Sequence, residues 1–212
     1  MTPLAERLQA IRAGIPPGVT LIAVSKTQPA EAIREAYAAG QRDFGENYAQ
    51  EWRGKAEDLA DLADLRWHFI GGLQTNKVKY LAGKVAYVHT VDRLELAQEL
   101  SRRFAGKGAV ARVFLEVNVG GETSKEGCAP EEVPALARAV SSLPAIEVVG
   151  LMCIPPPSED PRPHFRRLRA LRDELGVREL SMGMSADWKV AIEEGATFVR
   201  IGTAIFGARP KR

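Results

Sequence analysis

Short apolar runs alternate with longer helical patterns along the whole chain. Thr20–Ser25, Asp43–Glu46, Arg66–Ile70, Val85–Thr90, Ala111–Asn118, Ile146–Met152, Glu179–Ser181 and Phe198–Ile201 read as strands. Helical spacing runs between them over Pro29–Ala39, Ala49–Leu62, Gln74–Leu81, Arg93–Phe104, Glu131–Ser142, Pro163–Leu175 and Ala186–Glu194, and a short helical turn begins at Thr203. An extra N-terminal helix is expected around Leu4 to Ile11, where Leu4, Leu8 and Ile11 share one face. Start and stop signals agree with these spans. Gly40 follows one helix, Asp92 stands where it could cap the next, Pro130 precedes Glu131, and Gly195 closes the last full helix.

Strands such as Val113-Phe114-Leu115 and Val148-Val149-Gly150-Leu151 are apolar without alternation, as expected when both faces are covered. Eight strand–helix units over residues 1–212 predict an α/β protein, a single-domain (β/α)8 TIM-type barrel. A doubly wound sheet is the alternative, because losing the short strand at Asp43–Glu46 or Glu179–Ser181 would change the count. Two irregular stretches, 120–127 and 154–161, follow the fifth and sixth strands. Both fall on the face where barrels carry their sites.

Composition narrows the function classes. With 212 residues, 45% of them hydrophobic, the chain can bury one substantial core. A net charge of +2 gives no reason to expect nucleic acid or another polyanion. Cys128 and Cys153 offer neither metal-ligand spacing nor a disulfide framework. There is no long apolar run and no signal-like N-terminus, so a cytoplasmic protein without membrane contact is expected.

The strand ends are unusually polar for such a chain: Lys26, Glu46 and Asn47, Gln74 and Asn76, Asn118, Ser181, and Arg200 with Gly202 and Thr203. Lys26 closes the apolar run 21–25. Burial there would disfavour the ammonium and expose a neutral amine to carbonyls, although a strand-end lysine can also snorkel to water. Ser181-Met182-Gly183-Met184-Ser185 and Arg200-Ile201-Gly202-Thr203 each lead into a helix on the last two loops, the usual phosphate position of a barrel. Gly183 and Gly202 read equally as turn glycines. A Schiff-base lysine, a phosphate cradle and an arginine together suggest pyridoxal 5'-phosphate (PLP). Arg200 can only donate hydrogen bonds, so it would leave the pyridine nitrogen unprotonated and the ring a weak electron sink. The competing reading pairs Arg200 with a carboxylate such as Glu46.

The chain resembles the pyridoxal phosphate homeostasis protein family, which shares its barrel with the N-terminal domain of alanine racemase. The likeness runs through Ala23-Val24-Ser25-Lys26-Thr27, Asp43-Phe44-Gly45-Glu46-Asn47-Tyr48, Trp67-His68-Phe69-Ile70-Gly71, Leu73-Gln74-Thr75-Asn76-Lys77, Asn118 with Ser124-Lys125-Glu126-Gly127, and Gly150-Leu151-Met152. It is densest at Ser181–Ser185 with Asp187 and at Val199–Gly207. The resemblance implies that Lys26 forms the internal aldimine and that Asn47 lies near the ring. It also implies that Ser181, Gly202 and Thr203 bind the phosphate and that Arg200 meets the pyridine nitrogen. It implies vitamin B6 homeostasis without a firmly established reaction. Gly72 and Trp188 depart from the family pattern.

Other residues have plain readings. His68 is expected to be a hydrogen-bonded barrel residue, His89 and His164 structural or exposed, and Lys125 a solvated charge. Cys153 is expected to be an inert thiol near the barrel mouth and Cys128 a loop thiol. Arg166, Arg167 and Arg169 read as the solvated side of a helix whose other face carries Phe165, Leu168, Leu171 and Leu175. Three functions are open: a carrier or buffer of PLP that serves apo-enzymes, an amino-acid racemase, and an aldolase-like barrel without cofactor. Racemases of this fold take an opposite-face tyrosine from a second domain, and this sequence stops at Arg212. A monomeric carrier is therefore expected, with no metal.

Overall fold

A computed structural model describes residues 2–122 and 126–207. Among these, eight parallel strands close a barrel in sequence order: β1 (Thr20–Val24), β2 (Asp43–Glu46), β3 (Arg66–Phe69), β4 (Tyr87–Val91), β5 (Ala111–Glu116), β6 (Ile146–Met152), β7 (Glu179–Ser181) and β8 (Phe198–Ile201). The doubly wound alternative is thereby excluded. Around the barrel lie α1 (Pro3–Ala13), α2 (Ala30–Ala38), α3 (Ala49–Asp58), α4 (Val78–Leu81), α5 (Leu94–Ala105), α6 (Val133–Ser141), α7 (Pro161–Leu175), α8 (Trp188–Glu193) and α9 (Thr203–Phe206). The helix expected over Gln74–Leu81 is a 3-10 turn, Thr75–Lys77, followed by α4.

The strands are covered on both faces, by the barrel interior and by the helices. Val113 and Leu115 join the large cluster between barrel and helices, whereas Phe114 joins Ile22, Val149, Met152 and Phe198 in a second one. An aromatic plug of His68, Tyr87, His89, Phe114 and Phe198 fills the interior, with His89 stacked on Phe114 at 4.2 Å between ring centres. Between β5 and β6 the register jumps from Val113↔Val148 to Phe114↔Gly150, which leaves Val149 as a bulge. Gly150 is required there, since a Cβ would collide with the Glu179 carbonyl on β7.

Two start signals are corrected. Asp92 does not cap α5: its carboxylate accepts Arg93 Nη1 at 2.6 Å, and Arg93 takes the cap position. Pro130 does not start α6, which begins at Val133 with Pro134 in its first turn. Gly195 does end α8, at φ 94°. The N-terminal helix is tied to the last one, because Arg7 Nε donates to the Ile205 carbonyl at 2.7 Å.

Candidate functional site

Lys26, two residues past the end of β1, is half-buried rather than fully buried. It lines a cavity of about 310 Å³ with Asn47, Ser185, Arg200, Gly202 and Thr203, among others. The cavity opens where β1 and β8 lie side by side, with Ile22 opposite Arg200 and Ala23 opposite Ile201. Two strands from the extremes of the sequence thus bring lysine and arginine to one place. Five of the six expected binding residues meet there: Lys26, Asn47, Arg200, Gly202 and Thr203. Asn47 Oδ1 is buried without a hydrogen-bond partner among the described residues.

Ser181 is placed differently. It is fully buried and does not line the cavity; its hydroxyl lies 2.8 Å from His89 Nδ1 and accepts Arg200 Nη1 at 2.7 Å. The loop after β7 reaches the cavity further along, through Met184, Ser185 and Ala186. Sequence reasoning did not select Ser185, although the second serine of 181–185 was the available signal. Gly183 settles as a packing glycine: at φ 94°, its Cβ would meet Ala191 Cβ at 2.6 Å on α8. Gly202 comes close to β1, where a Cβ would lie 3.1 Å from the Val24 carbonyl oxygen.

Arg200 does not pair with Glu46. Its Nη2 donates to the Cys153 carbonyl at 2.9 Å, and its Nη1 goes to Ser181. Burial pushes the guanidinium below its ordinary value. Beneath it runs a buried chain of hydrogen bonds: Ser181 to His89, His89 Nε2 to His68 Nδ1 at 3.0 Å, and His68 Nε2 to Asp43 Oδ1 at 3.0 Å. Donor direction follows from the two ends. Arg200 can only donate and an ionised Asp43 can only accept. Each intervening group therefore donates toward Asp43 while it accepts from the Arg200 side. Both histidines satisfy this as neutral rings. Burial lowers the pKa of each, with Asp43 opposing at His68, while at His89 the proximity of the His68 ring and of Arg200 further disfavours protonation. His68 is thus a hydrogen-bonded barrel residue, as expected.

Glu46 faces the other way. Lys55 Nζ on α3 donates to Glu46 Oε1 at 2.7 Å, and burial raises the Glu46 pKa against that lysine. Gln74 lines a separate cavity of about 380 Å³, which Asn47 shares and which also holds Lys77, Asp92, Arg93 and Glu126. Asn76 stands outside both cavities. Asn118 braces its own loop: its Nδ2 donates to the Glu122 carbonyl at 2.7 Å. Gly72 makes room for a carboxylate, since a Cβ there would lie 2.5 Å from Glu126 Oε1. Lys125 lies outside the described residues. Both cysteines are buried, and burial pushes each thiol up to about 12. Cys128 lies on the loop between β5 and α6, as expected, with its thiol buried. The α7 arginines are engaged as well, with Arg162, Arg166 and Arg169 converging on Glu194. Among the described residues there is no helix long and apolar enough to cross a membrane, and no cluster of three or more histidine, cysteine or acidic residues placed to hold a metal ion.

Residues 2–210 match the family model described as alanine racemase, N-terminal domain. A Pseudomonas aeruginosa protein named pyridoxal phosphate homeostasis protein is 52% identical, covering 99% of this chain and 97% of that protein. One of the same name from Aquifex aeolicus is 54% identical, covering 89% and 86%. The solved structure of PipY from Synechococcus elongatus, with PLP bound, superposes with a TM-score of 0.90 at 41% identity and covers 96% of this chain and 100% of that one.

Proposed function

Because the chain belongs to the pyridoxal phosphate homeostasis protein family, on the alanine racemase N-terminal domain, we propose that it holds PLP through Lys26 and acts as an intracellular carrier or buffer of that cofactor. One observation carries the reading: Lys26, Asn47, Arg200, Gly202 and Thr203 line a single cavity across β1, β2 and β8. The residues fit the group. The cavity is of ligand size at about 310 Å³, and the buried, unpartnered Asn47 Oδ1 asks for a polar ligand atom. PLP, when bound, supplies an aldehyde, a pyridine ring and a phosphate.

Lys26 is the nucleophile. Its amine adds to the aldehyde carbon and retains it as a Schiff base, with loss of water. Arg200, oriented by Ser181 and the Cys153 carbonyl, donates toward the pyridine nitrogen and offers no hydrogen-bond acceptor that would stabilise its protonated form. Ser181 acts through Arg200 in this arrangement. Ser185, Gly202 and Thr203, which line the same cavity, offer hydroxyls and backbone N–H groups to the phosphate. Apart from the lysine and arginine, the lining consists of amide, hydroxyl and apolar groups. Such groups orient a ligand and do not transfer its protons, which favours carriage over turnover.

The test uses purified protein mixed with PLP, reduced with borohydride and digested. A mass increase on the Lys26 peptide, absent in Lys26→Ala, is expected. Loaded protein should restore activity to an apo-enzyme in a transfer assay. A reduced adduct on another lysine, or none, overturns the binding reading. Racemisation of an amino-acid panel that is lost in Lys26→Ala overturns the carrier reading and leaves the binding intact.

A further inference from the structure

Lys26 leaves β1 on a backbone that is bent and gripped. Thr27, directly after it, has φ 63°, a left-handed conformation that β-branched residues rarely adopt. The threonine side chain does not hold this turn, since its Oγ1 is buried with no hydrogen-bond partner among the described residues. A backbone hydrogen bond from Gln28 N–H to the Ser25 carbonyl at 3.0 Å closes it, and two side chains of α3 brace it. Glu51 Oε1 accepts the Thr27 N–H at 2.5 Å, and Lys55 Nζ donates to the Ser25 carbonyl at 2.7 Å. The peptide units on both sides of Lys26 are therefore fixed from one helix.

The gripping groups form a cluster of their own. Lys55 Nζ lies 2.6 Å from the same Glu51 oxygen and 2.7 Å from Glu46 Oε1, and that Glu46 oxygen accepts Ser25 Oγ at 2.6 Å. Lys55 and Glu46 are buried, and none of the three lines the cavity. A buried ion cluster is a poor source of stability, because desolvation offsets much of its attraction. Its value here is geometric. Among the described residues, the side-chain hydrogen bonds leaving the cluster end on Ser25 or Thr27.

We propose that Glu46, Glu51 and Lys55 are the positioning residues of Lys26: they hold the left-handed turn at Thr27 and so fix the direction in which the amine enters the cavity. The inference rests on Lys26 being the residue that captures the aldehyde. Misdirection of a nucleophile slows its reaction while leaving non-reacting contacts intact. Capture of the aldehyde and recognition of ring and phosphate should therefore separate.

The experiment compares wild type with Glu51→Ala, Glu51→Gln and Lys55→Met, and with Glu51→Ala combined with Thr27→Gly. The rate of Schiff-base formation is followed by visible absorbance on mixing with PLP. Affinity for pyridoxine 5'-phosphate, which has ring and phosphate but no aldehyde, is measured alongside. Glu51→Ala and Lys55→Met should slow capture roughly tenfold or more, with pyridoxine 5'-phosphate affinity held within about twofold. Glu51→Gln should stay near wild type, because its amide oxygen still accepts the Thr27 N–H. Thr27→Gly should recover much of the loss in Glu51→Ala, since glycine adopts the turn without strain. Equal capture rates in wild type and Glu51→Ala overturn the positioning role. So do a parallel loss of both ligands and a failure of Thr27→Gly to recover any rate. A wild-type protein that forms no Lys26 adduct marks failure of the cofactor reading itself and takes this inference with it.

Discussion

Glu116, the last residue of β5, carries a buried carboxyl that burial and the nearby charges of Glu126 and Asp92 push up to about 7. The folded protein therefore keeps a proton that the unfolded chain has already released. Stability should fall as pH rises from the ordinary value of 4.5 through about 7, and level off above. Glu116→Gln should remove this cost. We expect urea unfolding at about pH 8 to show the variant more stable by up to about 3 kcal/mol, and unfolding at about pH 4 to show no difference. Asp43 behaves oppositely. Burial opposes its ionisation, but hydrogen bonds from Arg66 and His68 outweigh burial and hold it at about 2. That stability is complete above the ordinary 3.8 and is lost as pH falls through about 2. Asp43→Asn should flatten the acid limb of the unfolding profile and cost about 2 kcal/mol near neutrality. At this scale the strand-end positions of Lys26 and Arg200 were legible from the apolar runs they close, whereas type and position alone left Lys26 open to snorkelling and Arg200 open to pairing with a carboxylate. Ser181 was not legible, because the direction of its hydroxyl depends on His89, which only the closed barrel brings beside it.

At the scale of elements, the apolar runs located the strands because both faces of each are covered. β2, β6, β7 and β8 have the bounds that the pattern gave. One misread helix start has a local cause: Asp92 accepts the guanidinium of its chain neighbour Arg93, so its side chain is not available to cap α5. The bulge at Val149 was equally illegible, since it is a mismatch between two strands and not a property of one. Close approaches between elements carry the sharpest consequences. A Cβ on Gly71, just past β3, would lie 2.8 Å from Asn47 Cβ, and the Gly71 carbonyl accepts Thr90 Oγ1 at 2.7 Å. Gly71→Ala should therefore push Asn47 out of the cavity. Calorimetry should show PLP affinity reduced by about tenfold or more, with destabilisation of about 1–3 kcal/mol by urea unfolding. Unchanged affinity would show that Asn47 makes no contact with the ligand.

For the whole molecule, eight strand–helix repeats made the barrel legible, whereas the route from Asp43 through His68, His89 and Ser181 to Arg200 required the strands to be wrapped. The pairing of β1 with β8 has a consequence for how the protein is made. The lysine emerges from the ribosome early and the arginine late, and their cavity exists only when the last strand has zipped against the first. On the proposed reading, a nascent or truncated chain lacking β8 would have no place to keep the aldehyde, so cofactor capture would report that β8 has closed on β1. A ligand held there through Lys26 would staple that seam. At a hundredfold excess over its Kd it should add about 2.7 kcal/mol to the stability of the whole barrel, read as a rise in Tm that Lys26→Ala diminishes.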